Sequence, residues 1–172
     1  MERILPGKFA VGTLLAVGLL GCATAPKRDR AADAKLLFEQ TVMEYHLPSA
    51  EAKEPERDKL LVQAAGGYTQ LLHSYPEQSD WCAQALRSLA NVRAEQGRLN
   101  DAVKLYQQVG DNYPGYDWEV LQAWKSAADL LWEAGRQDEA RTFYQKIVAR
   151  FERPDVPAVY RTVVRAAKAK LM

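Results

Sequence analysis

From Arg30 to the end of the chain, apolar residues recur three and four positions apart, and glycine or proline breaks the pattern at intervals. Leu86, Leu89, Ala90 and Val92 mark one face of a helix, as the 3.6-residue turn requires. Gly97 closes that stretch, where a helix C-terminus favours a residue that tolerates left-handed backbone. Asn100 or Asp101 is expected to help start the next helix, with Ala102, Leu105, Tyr106 and Val109 on its inner face and Pro114 blocking its continuation. The small side chains of Ala90 and Ala102 let the two helices approach closely. The same grammar returns in Trp124, Ala127, Ala128 and Leu131, then Gly135, then Ala140, Phe143, Tyr144 and Ile147.

The pattern predicts an all-α chain. Its helices run over about Arg30–His46, ending before Pro48, then Glu56–Ser74, Asp80–Gln96, Leu99–Asn112, Asp117–Ala134, Gln137–Phe151 and Pro157–Leu171. Asp80 and Asp117 each precede a tryptophan, Trp81 and Trp118. Both acids are expected to be N-caps, with the indole folded back over the turn before it.

The elements repeat with a period of 38 residues: Ala64, Ala102 and Ala140; Tyr68, Tyr106 and Tyr144; Leu71, Val109 and Ile147; Tyr75, Tyr113 and Phe151. Gly97 and Gly135 share the spacing, as do Arg98 and Arg136. A fixed period of matched residue sizes signals stacked supersecondary units, none able to bury its apolar face alone. The first and last helices are expected to cover the ends of the stack.

These residues resemble the tetratricopeptide repeat. Leu86, Leu89-Ala90, Gly97, Ala102, Tyr106, Val109 and Pro114 follow that family's order, as do Trp124, Ala127-Ala128, Gly135, Ala140, Tyr144 and Ile147. Departures are Glu152 in place of the final proline, with Pro154 two residues late, and Lys59 where an earlier half-repeat (Ala64, Tyr68, Leu71, Pro76) should carry its turn glycine. Extra residues lengthen the family's period of about 34 around Pro76–Asp80 and Pro114–Asp117. The resemblance spans roughly residues 50–155. It implies a short right-handed superhelical solenoid of antiparallel helix pairs, about two and a half repeats with capping helices.

In that family the first helix of each repeat lines a concave groove that grips polypeptide. Carried over, the groove positions are Gln84, Arg87, Asn91 and Glu95, then Gln122, Lys125, Asp129, Trp132 and Glu133. Arg87 and Asn91, one turn apart, resemble half of a carboxylate clamp. Ser126 and Tyr160 stand where the other half has Asn and Lys, and Glu95, Asp129 and Glu133 would repel a carboxylate. The expectation is a mixed-charge groove for an extended or helical segment, with Trp132 as its anchor.

The chain's beginning has a different character. Arg3 and Lys8 precede an uncharged run, Phe9 to Leu20, of signal-peptide length and shorter than the roughly 20 apolar residues that span a bilayer. Leu19-Leu20-Gly21-Cys22 closes the run and resembles the lipobox of bacterial lipoproteins, in which the signal is cut before the cysteine and the thiol takes a diacylglycerol. The implied organisation is a signal peptide at 1–21, a flexible tether at 22–30 and the repeat domain at 31–172, held to the membrane by acyl chains on Cys22. Ala23, where an Asp would favour inner-membrane retention in enteric-type bacteria, leans the expectation to the outer membrane.

Charge and composition narrow the partners. Lys and Arg total 23 and Asp and Glu 22. Setting aside Arg3, Lys8 and Glu2 balances them, so no global field points to nucleic acid. With Cys22 committed to lipid, Cys82 stands alone and reads as a small buried hydrophobe. His46 and His73 lie in different helices without metal-ligand spacing, Gly66-Gly67 fits close helix packing, and no nucleophile sits beside a base; no enzyme activity, metal or cofactor is expected. Glu51, Glu54, Glu56 and Asp58, interleaved with Lys53, Arg57 and Lys59, read as a solvated face of local ion pairs. In the last helix Tyr160, Val164, Ala167 and Leu171 seal the core. Arg161, Arg165, Lys168 and Lys170 form a basic side that reads first as a favourable helix C-terminus, and second as contact with lipid head groups or an acidic partner.

The expected role is a lipid-anchored scaffold that binds another envelope protein, similar to the outer-membrane assembly (BamD-like), pilotin-like and cell-division coordinator lipoproteins. Self-association remains open. Binding of cell-wall glycan is the alternative, invited by 4 Trp and 8 Tyr but opposed by their core positions.

Overall fold

Residues 29–172 are described by a computed structural model, and every regular element among them is helical. The proposed signal peptide, Cys22 and most of the tether lie outside the described residues. α1 (Arg30–Thr41) runs into a π-turn (Val42–His46) and a single turn, α2 (Leu47–Ser49). There follow α3 (Glu56–Ser74), α4 (Ser79–Glu95), α5 (Leu99–Asn112), α6 (Asp117–Glu133), α7 (Gln137–Phe151) and α8 (Ala158–Leu171).

Consecutive helices pack as antiparallel pairs, α4 on α5 and α6 on α7, with α5 against α6 and α7 against α8. Contacts between first helices show how the pairs stack. Phe38 of α1 lies 5.6 Å from Trp81 at the start of α4, and His46 meets Glu95 at its end. Trp118 starts α6 beside Tyr160 at the start of α8 (5.9 Å), and Lys170 covers Trp132 at the far end. First helices α1, α4, α6 and α8 therefore run parallel in one row, and α3, α5 and α7 form the other. This is the short tetratricopeptide-like solenoid that the period implies, with α8 as C-terminal cap and α1 standing in the first-helix row beside α3.

The turns within repeats are short because glycine permits them. Gly97 (φ 72) and Gly135 (φ 77) adopt left-handed backbone. The amide of Gly97 donates to Ala94 (2.9 Å) and that of Arg98 to Arg93 (2.8 Å), and Gly135 and Arg136 repeat both bonds. These satisfy the last carbonyls of α4 and α6 and turn the chain straight into the next helix. Arg98 and Arg136 then pair with Asp101 and Glu139 in the first turns of α5 and α7.

Every 38-residue position from the Ala, Tyr and Leu/Val/Ile sets is buried. The core has an N-terminal part around Leu61, Tyr68 and Leu89 and a C-terminal part around Trp124, Leu131 and Ile147. Leu72, Leu105 and Tyr113 pack on both and make it continuous. Cys82 is fully buried, its thiol directed at the Tyr75 carbonyl (3.3 Å). Gly67 lies against Thr41, and Gly66 is exposed with open space where a Cβ would be. Only the second glycine of the pair thus serves close packing.

Three local expectations are corrected. The first helix does not end before Pro48. The Leu47 amide bonds the Val42 carbonyl five residues back, and the wider turn carries helical backbone through a proline that cannot donate and would crowd an α-helical carbonyl. Asp80 and Asp117 are not N-caps, because the helices start with Gln78 and Tyr116 in those places and neither caps through its side chain. Asp117 instead takes Arg150 (2.7 Å) and Arg153 (3.1 Å). Trp81 and Trp118 do not fold over their turns. They pack sideways on Phe38 and Tyr160 of neighbouring first helices, where more apolar surface is available. The acidic cluster behaves as expected, with exposed pairs Glu54–Arg57 and Glu56–Lys59.

Candidate functional site

First helices approach one another across repeats, α1 to α4 and α4 to α6, more closely than the second helices do. Their outward sides therefore form the inner, concave face. The nine expected groove residues all lie on α4 and α6 in this row.

A ladder of buried tyrosines organises the face. Tyr106 donates its hydroxyl to Asn91 Oδ1 (2.7 Å), and Tyr144 donates to Asp129 Oδ1 (2.9 Å). Tyr68 bonds His46 Nδ1 (2.8 Å) in the equivalent place. A phenol projecting from a second helix reaches the polar side of its partner helix, and a buried hydroxyl left unpaired costs about 1–3 kcal/mol. Burial raises the Tyr68 and Tyr106 hydroxyls to about 12, opposed in part by Ser88 and Ser126 beside them. Tyr144 moves up further, through burial and then through its carboxylate partner Asp129.

The charges are paired along the same face. Arg87 Nε donates to Glu119 Oε2 (2.5 Å) and ties α4 to α6, with the carboxylate almost buried. Lys125 donates to Asp129 (2.6 Å) one turn away. Glu95 meets His46 Nε2 (3.1 Å). Trp132 is half-buried, edge-on to Tyr144, with the Lys170 ammonium 4.1 Å from its ring centre. Gln84 is half-buried, and its amide reaches only the Asp80 carbonyl on its own helix (3.4 Å). Gln122 is half-buried and Glu133 is exposed.

The nine positions thus separate by structural commitment. Arg87, Asn91, Glu95, Lys125 and Asp129 hold neighbouring side chains in place. Gln84, Gln122 and Glu133 make no side-chain bond to another helix among the described residues, and Trp132 lies beneath Lys170. Sequence reasoning missed Glu119, Lys170 and the role of the tyrosine hydroxyls. The last had a signal, since Asn91 and Asp129 stand 15 residues before Tyr106 and Tyr144 respectively. Glu119 had none, because its pairing with Arg87 depends on how two repeats stack.

Among the described residues no cluster of three His, Cys, Asp or Glu side chains could hold a metal, and no helix is long and apolar enough to cross a membrane. A family model described as tetratricopeptide repeat matches residues 81–153, from the first turn of α4 to just past α7. No curated protein matches the chain. Match and fold agree over these four helices and define the class: a short tetratricopeptide-like solenoid. Repeats of this kind support a protein-interaction scaffold, and the family is typically non-enzymatic.

Proposed function

We propose that this protein is a lipid-anchored scaffold of the bacterial envelope, held to the membrane through Cys22, that binds a partner polypeptide along the concave face of α4, α6 and α8. The observation carrying the reading is that Gln84 and Gln122, near the starts of α4 and α6, and Glu133, beside Trp132 at the end of α6, make no side-chain bond to another helix among the described residues, on helices whose other polar groups are locked together. A preorganised frame loses little side-chain freedom when a ligand arrives. The membrane part of the reading is supported by the short apolar run that ends in Leu-Leu-Gly-Cys at residue 22. The similarity to BamD-like assembly lipoproteins rests on the same two features together, and outer-membrane location rests on Ala23.

The test is site-specific photocrosslinking in living cells from Gln84, Gln122 and Glu133, with Lys104 on the exposed side of α5 as control. A single polypeptide captured from the concave positions and lost on Trp132→Ala is the expected result. Arg87 is left intact, because its removal would strand the Glu119 carboxylate. Equal capture from Lys104 would sink the groove. Palmitate labelling that persists in Cys22→Ser would sink the anchor.

A further inference from the structure

Beyond the concave face, the C-terminal end of the solenoid carries a second surface. A cleft of about 410 Å³ opens between the end of α7 and one side of α8. It lies over Phe151 and Val164, both buried core residues, and its exposed lining is Glu152, Arg153, Pro154, Arg161, Arg165 and Lys168. Two of the cations are spoken for: Lys168 pairs with Glu152, and Arg153 with Asp117 and Asp155. Arg161 donates to the Val156 carbonyl (2.6 Å), a neutral acceptor. Among the described residues neither Arg161 nor Arg165 has a carboxylate partner. They stand one turn apart on an exposed helix side.

We propose that this cleft is a second docking site, for an acidic segment of a partner polypeptide in which a carboxylate neighbours an apolar side chain. The carboxylate meets Arg161 and Arg165, whose planar guanidinium groups match it in paired hydrogen bonds. The apolar neighbour packs on exposed Pro154 and the methylene stems of the arginines. Concavity favours such a segment over a membrane surface. A bilayer presents a plane, and the exposed side of α8 offers Ala158, Ala166 and Ala169 with one larger apolar residue, Val159, as a wedge.

The experiment uses the full chain and a fluorescent peptide library in which Glu or Asp alternates with Leu, Val or Phe, read by anisotropy. A matched library carries Gln and Asn instead. The expected result is that acidic members bind and their amide counterparts do not. The double variant Arg161→Gln/Arg165→Gln should weaken binding about tenfold or more, while Lys104→Gln on the exposed side of α5 leaves it unchanged. An unchanged helical circular dichroism spectrum in the double variant separates loss of binding from loss of fold. Equal binding of both libraries, or acidic binding indifferent to the double variant, overturns the proposal. So does binding confined to phosphatidylglycerol vesicles. Concave-face crosslinking is indifferent to Arg161 and Arg165, so failure here leaves that reading standing.

Discussion

One chemical change placed at two glycines tests the stacking of the repeats. Gly66 and Gly110 both sit inside helices, α3 and α5. Replacing an exposed helical glycine by alanine gains about 1 kcal/mol, because alanine has less backbone freedom to lose. At Gly66 nothing lies within 4 Å of an added Cβ, so the full gain is expected. At Gly110 the Cβ would stand 2.6 Å from Trp124 Cζ2 and Nε1, about 1 Å inside ordinary carbon contact. The indole has little room to yield. It is buried, edge-on to Phe151 at 6.3 Å, with the Lys146 and Arg150 cations each 5.9 Å from its ring centre. Overpacking typically costs about 1–3 kcal/mol, and the tight fit puts Gly110 at the upper end. Subtracting the propensity gain leaves a net loss of about 2 kcal/mol. Thermal unfolding should therefore move Gly66→Ala up by about 2–4 °C and Gly110→Ala down by about 4–8 °C. Trp124→Phe, itself destabilising, should recover most of the added penalty in the double variant with Gly110→Ala. If Gly110→Ala melts at or above the parent, the indole does not lie across α5, and the stacking of α6 on α5 is wrong.

The tyrosine ladder and the core give three further expected outcomes. Raised hydroxyls favour the neutral, folded form, so stability is intact below the ordinary value of 10.0 and is lost as pH climbs toward about 12. Tyr68 and Tyr106 each account for about 2–3 kcal/mol of that loss. Phenolate absorbance and helical circular dichroism should change together across this window, and phenolates appearing while the helices persist would contradict the burial. A double-mutant cycle of Tyr106→Phe and Asn91→Ala should give a coupling of about 1 kcal/mol in urea unfolding; additive losses would mean that the hydroxyl bond contributes nothing. The Cys82 thiol, raised by burial, should resist Ellman's reagent in buffer and react in guanidinium, whereas rapid labelling of the native protein would place Cys82 at the surface.

Much of this fold is legible in one dimension because its contacts are local. Each helix buries a face against the next in sequence, so the 3.6-residue pattern, the turn glycines and the 38-residue period carry nearly all the information needed to pair them. Gly97 and Gly135 could be read directly, since left-handed backbone at a helix end excludes most other residues. The π-turn before Pro48, the position of Asp117 beneath Arg150 and Arg153, and the sideways packing of Trp81 and Trp118 could not. The π-turn follows from the backbone pairing around Pro48, and the other two depend on which side chain of another helix arrives within reach, which the packing angles set.

The candidate site divides the same way. The resemblance to the tetratricopeptide repeat implied nine groove side chains, and they do lie on one row of helices. Only the tertiary structure decided the engagement of Arg87 by Glu119 and of Trp132 by Lys170, whereas the 15-residue spacing already offered Asn91 and Asp129 to the buried phenols. The physical reason is that a polar group near a core takes whichever partner removes its desolvation cost. That partner is chosen by distance in space across repeats, which the linear order of residues does not encode.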